Sequence, residues 1–242
     1  MATWITHLMV VDELYRRGIK LDELGFCAGN IGPDCNVENE TWTEFTPPKE
    51  VTHWMNGKSK LTADFEGFYE KYVARKEFES LEEFSFLMGY YSHLIVDVEF
   101  QRFVRDDQRV KDIFTRVKNK EALQKKIAGM PEDFDTLKSV FGKWYIFDDI
   151  HIQEQRYLVE NVESRYNKVL KKMKSFPDYL DYMPEGAITR KLGIITAQPN
   201  QFEKREEFLF FSEQEMTGFI EDTAVLIFKL MEEKGCNCQV LL

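Results

Sequence analysis

Apolar residues recur along this chain at intervals of three and four rather than two, the spacing of helices that bury one face. The pattern predicts a helix over residues 3–17, stopped by Gly18, and a short one over 21–28. Residues 29–36 read as a turn by their Gly, Pro, Asn and Asp content, and 36–50, with Pro47-Pro48, as a loop. Thr62 opens the next helix, to residue 77. Ser80 and Glu83 have the capping-box spacing and head a helix over 81–105. That helix is apolar almost all round, through Phe84, Phe86, Leu87, Tyr90, Leu94, Val98 and Phe100, so it belongs at the centre of the molecule. Further helices are predicted over 108–128, 132–142 and 144–174. Residues 176–204 carry Pro177, Pro184 and Pro199 and show little periodicity, so they are expected to wander over the surface of the bundle. Ser212 and Glu215 open a last helix that runs to 234 before Gly235. With no repeat and no linker-like break, the expected architecture is all-α, a multi-helix bundle forming one domain over 1–242.

Composition changes this picture little. The hydrophobic fraction is 43% and the charged fraction 31%, which is ordinary for a soluble globular chain. The net charge of −10 and the lack of a basic stripe speak against general nucleic-acid binding, because an acidic field repels a phosphate backbone. Lys58, Lys60 and Arg75 are candidates to help admit an anion, with solvated surface charge as the preferred reading. The four cysteines match neither a zinc pair nor a disulfide framework, which suggests reduced thiols. No apolar run is long enough for a membrane span, and no signal peptide is evident, so a cytoplasmic location is expected.

Candidate chemistry concentrates in four histidines: His7, His53, His93 and His151. The sharpest local pattern is His93-Leu-Ile-Val-Asp97. On a helix, residues four apart share a face, so this imidazole and carboxylate can converge on one cation. Zinc accepts such a nitrogen and oxygen pair. A His–Asp hydrogen bond locking two helices satisfies the same pattern, since buried polar groups need partners of some kind. His7, following Thr6, and Asp34, closing Gly29-Asn-Ile-Gly-Pro-Asp34, are each unremarkable alone.

In chain order, however, Thr6-His7, Gly29-Asn-Ile-Gly-Pro-Asp34, His53 and Gly89-Tyr-Tyr-Ser-His93-Leu-Ile-Val-Asp97 resemble the zinc-dependent phospholipase C family, which is related in fold to fungal single-strand zinc nucleases. The match covers roughly the first hundred residues. The resemblance implies an all-helical fold with a dinuclear zinc centre. Asp34, His53, His93 and Asp97 would hold one ion, and Asp97 would bridge to a second held by His7. It implies hydrolysis of a phosphate ester, with a small phosphate ester or a phospholipid head group as partner and Asp34 orienting or deprotonating water. Other divalent metals suit the same donors.

The chain also departs from the family pattern. Gln101 and Gln155 stand where the family often has further ligands. Asp148 and His151, three apart on one helix, are the candidates to rebuild that third site, with Glu154 nearby. Trp4 is internal, whereas the secreted phospholipases use an N-terminal Trp as a ligand. Tyr90 and Tyr91 are candidate substrate contacts, with core packing as their plain alternative. Two other readings compete: a degenerate, non-catalytic member of the family that keeps a metal or polar core and acts as a binding protein, and a structural bundle whose histidines are merely hydrogen-bonded.

Overall fold

A computed structural model of the protein describes residues 2–41, 43–197 and 207–236. Among them the fold is all-α, with one two-stranded ribbon. The helices are α1 (Trp4–Arg16), α2 (Glu23–Ile31), α3 (Lys49–Thr52), α4 (Phe65–Tyr72), α5 (Leu81–Val104) and α6 (Asp107–Lys118). They continue with α7 (Glu121–Ile127), α8 (Phe134–Phe141), α9 (Lys143–Glu160), α10 (Arg165–Lys168), α11 (Ala187–Ile195) and α12 (Glu213–Glu233). Strands β1 (Val37–Glu38) and β2 (Phe45–Thr46) pair antiparallel within the segment predicted as loop.

Helix α5 is the axis of the molecule. Every residue from Glu83 to Val98 is buried, as its lack of a polar face requires. Ser80 Oγ accepts from the Glu83 amide, while the Glu83 carboxylate turns back to the Glu79 amide and to Lys76. At α12 the box is complete, with Ser212 and Glu215 each accepting from the other's backbone N–H.

Helix α2 lies against α5 at a distance that only glycine permits. A Cβ on Gly29 would stand 2.0 Å from the Phe86 carbonyl oxygen, and one on Gly89 would stand 2.3 Å from that of Phe26. The backbones therefore touch where the two glycines meet. This contact also explains why Gly29 lies inside a helix rather than in the predicted turn. Helix α2 runs on to Ile31, and the following Gly32–Asp34 forms a 3-10 turn with Pro33 in its first turn, where a missing N–H costs nothing.

Other boundaries differ from the sequence prediction for local reasons. The helix expected over 108–128 breaks at Asn119, which ends α6. The one expected over 144–174 ends at Asn161, and the Ser164 side chain then starts α10 by accepting from the Asn167 amide. The segment expected to wander contains α11, whose apolar face (Ile188, Leu192, Ile195) is buried. Part of that segment, 198–204, lies outside the described residues. Cys27, Cys35 and Cys236 are free, buried thiols; Cys238 lies outside the described residues. No helix among the described residues is long and apolar enough to cross a membrane.

Candidate metal centre

Five side chains from four separate segments meet beside the middle of α5. His7 comes from the second turn of α1, Asp34 from the 3-10 turn after α2, and His53 from the residue that caps α3. His93 and Asp97 stand one turn apart on α5. Donor atoms of His7, His93 and Asp97 lie within 4.8 Å of one another, and so do those of Asp34, His53 and His93. His93 Nε2 is 3.2 Å from Asp97 Oδ2, and His53 Nε2 is 3.6 Å from the same oxygen and 3.2 Å from Asp34 Oδ1. His7 Nε2 faces the other Asp97 oxygen at 3.8 Å, and its ring stacks on that of His93 with centroids 3.8 Å apart.

The outer nitrogens show how the rings are prepared. His93 Nδ1 lies 2.7 Å from the Asn30 carbonyl, and His53 Nδ1 lies 3.1 Å from the Lys49 carbonyl. A carbonyl only accepts, so each Nδ1 carries the proton and each Nε2 turns a lone pair toward the cluster. This is the usual way in which a metal-binding imidazole has its tautomer set. The Trp4 indole N–H donates to Asp34 Oδ2 at 2.9 Å and orients that carboxylate.

Electrostatics keep the donors in ligating form. Burial drives the His7 pKa well below the ordinary histidine value, and the neighbouring His93 adds to this. Burial and the Lys60 ammonium also lower His53. Burial would raise the Asp97 carboxyl, but the Lys60 ammonium beside it overcomes this and holds it far below the carboxylate range. The same contest, with Lys60 prevailing, keeps Asp34 ionised.

The fit to a cation rests on what is left unpaired. His7 Nδ1 and Nε2, His53 Nε2, His93 Nε2 and Asp97 Oδ1 are buried without a hydrogen-bond partner. That many buried polar atoms without partners would be costly in a purely structural core. Imidazole lone pairs and carboxylates gathered in two such trios that share His93 are the donor types zinc takes. Only Asp34, at 12% side-chain exposure, reaches solvent, so the open edge of the cluster lies at Asp34 and Trp4.

Several sequence expectations are corrected. His151 is exposed on α9 and stands apart from the cluster, and Asp148 does not join it either. The buried face of α9 carries Glu154 instead, whose Oε1 accepts from the Thr6 amide at 2.9 Å and from the hydroxyls of Thr3 and Thr6. Gln101 accepts from Arg105 one turn on. No third group of metal-competent side chains forms among the described residues. Tyr90 and Tyr91 are fully buried rather than substrate-facing. Tyr90 stacks on Phe68 and donates to the Thr52 carbonyl, pinning the end of α3 that carries His53, while Tyr91 donates to Glu66. Lys60, read as surface charge, is buried and ion-paired with Asp97; Lys58 and Arg75 are exposed.

Glu154 yields a pH prediction. Burial pushes its carboxyl up from 4.5 to about 7. The folded chain therefore holds this proton between pH 4.5 and 7 while the unfolded chain releases it, and stability falls as pH rises through that window. The loss is about 3 kcal/mol once pH exceeds 7. Gln can accept the same three hydrogen bonds without a charge. In Glu154→Gln the difference in unfolding free energy between pH 5 and pH 8 should shrink by about that amount in urea titrations. An unchanged difference would reject the assignment.

A model of the zinc dependent phospholipase C family matches residues 5–99, the span that contains all five clustered side chains. No curated protein and no solved structure matches the chain.

Proposed function

We propose, from the premise that residues 5–99 carry the zinc dependent phospholipase C pattern, that this protein is a metal-dependent phosphoric ester hydrolase built as one domain. The observation that carries the reading is the set of orphaned imidazole nitrogens turned inward on Asp97 and Asp34. Asp34, His53, His93 and Asp97 Oδ2 would hold one ion, and His7 with Asp97 Oδ1 a second. Asp97 is suited to sharing because its two oxygens face different histidines. Zinc, when bound, supplies Lewis-acid polarisation of a phosphoryl oxygen and acidifies water toward neutral pH.

The chain's own residues do the rest. Asp34 stands at the solvent edge and stays ionised, so it accepts a hydrogen bond from an attacking water and aims it. Its low basicity suits orientation better than proton storage. Trp4 holds Asp34 from behind. The carbonyls of Asn30 and Lys49 keep His93 and His53 in one tautomer, so neither ring has to reorganise during a turnover. A phosphate ester would have to approach from the Asp34 edge, the one partly exposed side of the cluster, with a phospholipid head group as the class the family name suggests.

Elemental analysis of protein purified without chelators is expected to find zinc. Activity on a chromogenic phosphodiester should vanish with chelation and return with zinc. Protein that binds no divalent metal would refute the reading, and metal without turnover on any phosphate ester would favour a non-catalytic binding protein.

A further inference from the structure

Lys60 begins the 3-10 turn Lys60–Thr62, and its neighbours Ser59 and Leu61 are exposed. Lys60 alone turns inward, with 9% of its surface exposed, and its Nζ pairs with Oδ2 of the fully buried Asp97. This is the oxygen on which His93 Nε2 and His53 Nε2 converge. An ammonium has three donors and no lone pair, so it satisfies a carboxylate but cannot ligate a metal. A divalent ion coordinated by Oδ2 and an ammonium bonded to Oδ2 would be like charges within a few ångströms in a pocket with little water, where repulsion is poorly screened. The two cations are alternatives on one oxygen.

We propose that Lys60 is a built-in competitor for the metal. Its ammonium neutralises Asp97 and has to leave Oδ2 for a divalent ion to be held there, so Lys60 sets the metal concentration at which the centre fills. The long flexible stem and the surface position of its turn allow that withdrawal without moving α5. The competitor role rests on the metal-dependent reading given above, and the same device would keep the buried carboxylate paired whenever metal is scarce.

The test is zinc affinity of the full chain, by competition with a chromophoric chelator, together with thermal melts in metal-free and zinc-containing buffer. Lys60→Met should bind zinc at least about tenfold more tightly than the wild type, and zinc should raise its melting temperature further, because the metal-free variant leaves Asp97 bare. Lys60→Gln, which keeps a hydrogen bond without the charge, should also bind more tightly and serves if the Met variant does not fold. Lys60→Arg keeps the charge and should bind no more tightly than the wild type. Equal or weaker affinity in the Met and Gln variants, with zinc bound by the wild type, overturns the competitor role and leaves the metal centre standing. Absence of zinc from every form overturns both.

Discussion

Asp97→Asn is expected to lose bound zinc and to melt about 10 °C lower than the wild type. Two separate effects combine. The shared carboxylate is the one group that faces His7 through one oxygen and His93 and His53 through the other, so its removal weakens every arrangement of donors at once. The second effect acts with or without metal. Asp97 is the partner of buried Lys60, and Asn leaves that ammonium without the carboxylate it is paired with. Breaking a buried pair by removing one partner typically costs about 3–5 kcal/mol, and a chain of this length loses about 2–4 °C per kcal/mol. The double variant Asp97→Asn, Lys60→Met separates the effects: it should regain much of the stability and none of the zinc. Wild-type zinc content in Asp97→Asn would show that this carboxylate is not a ligand.

The second large effect lies outside the cluster. Gly29→Ala and Gly89→Ala should each destabilise the protein by roughly 3 kcal/mol or more and weaken zinc binding, although neither residue has a side chain to ligate anything. A methyl at either site meets backbone of the facing helix, not the end of a flexible side chain, so α2 and α5 have to separate. That separation draws the Asn30 carbonyl away from His93 Nδ1, now 2.7 Å distant, and releases the ring from its fixed tautomer. It also moves the turn that carries Asp34. Gly193→Ala, on α11, is the control: an added methyl there meets nothing within 4 Å and helical alanine is favoured, so stability should hold or rise slightly. Wild-type melting of Gly29→Ala would mean that the two helices have slack the close contact denies.

Much of this was legible along the chain. The 3.6-residue periodicity specifies an all-helical molecule, and the absence of a polar face on residues 81–105 specifies which helix is central, because an all-round apolar helix is stable only when surrounded. The capping serine at 212 marks its helix start for a similarly local reason. His93 and Asp97 share a face by helical geometry alone, and the ordered motifs pointed to His7, Asp34 and His53 as their companions.

Where the expectations about the site residues failed, the deciding interaction lay between residues distant in the chain. Nothing local distinguishes Lys60 from Lys58, yet one is buried on Asp97 and the other is solvated, because only the packing of the 3-10 turn on α5 determines which lysine points inward. His151 has the spacing of a ligand and faces water, since the rotation of α9 is set by the burial of Glu154 under α1. Tyr90 and Tyr91 sit next to His93 in sequence but are covered by Phe68 and Glu66 from α4. The sequence by itself determined that the molecule is helical, which helix is central and which residues have the chemistry of a metal site, because these follow from periodicity and residue type. Only the tertiary structure decided which charges are buried, which imidazole nitrogens face one another and which backbone carbonyls hold them, because those depend on helix rotation and close approach, and distance in space is not written in distance along the chain.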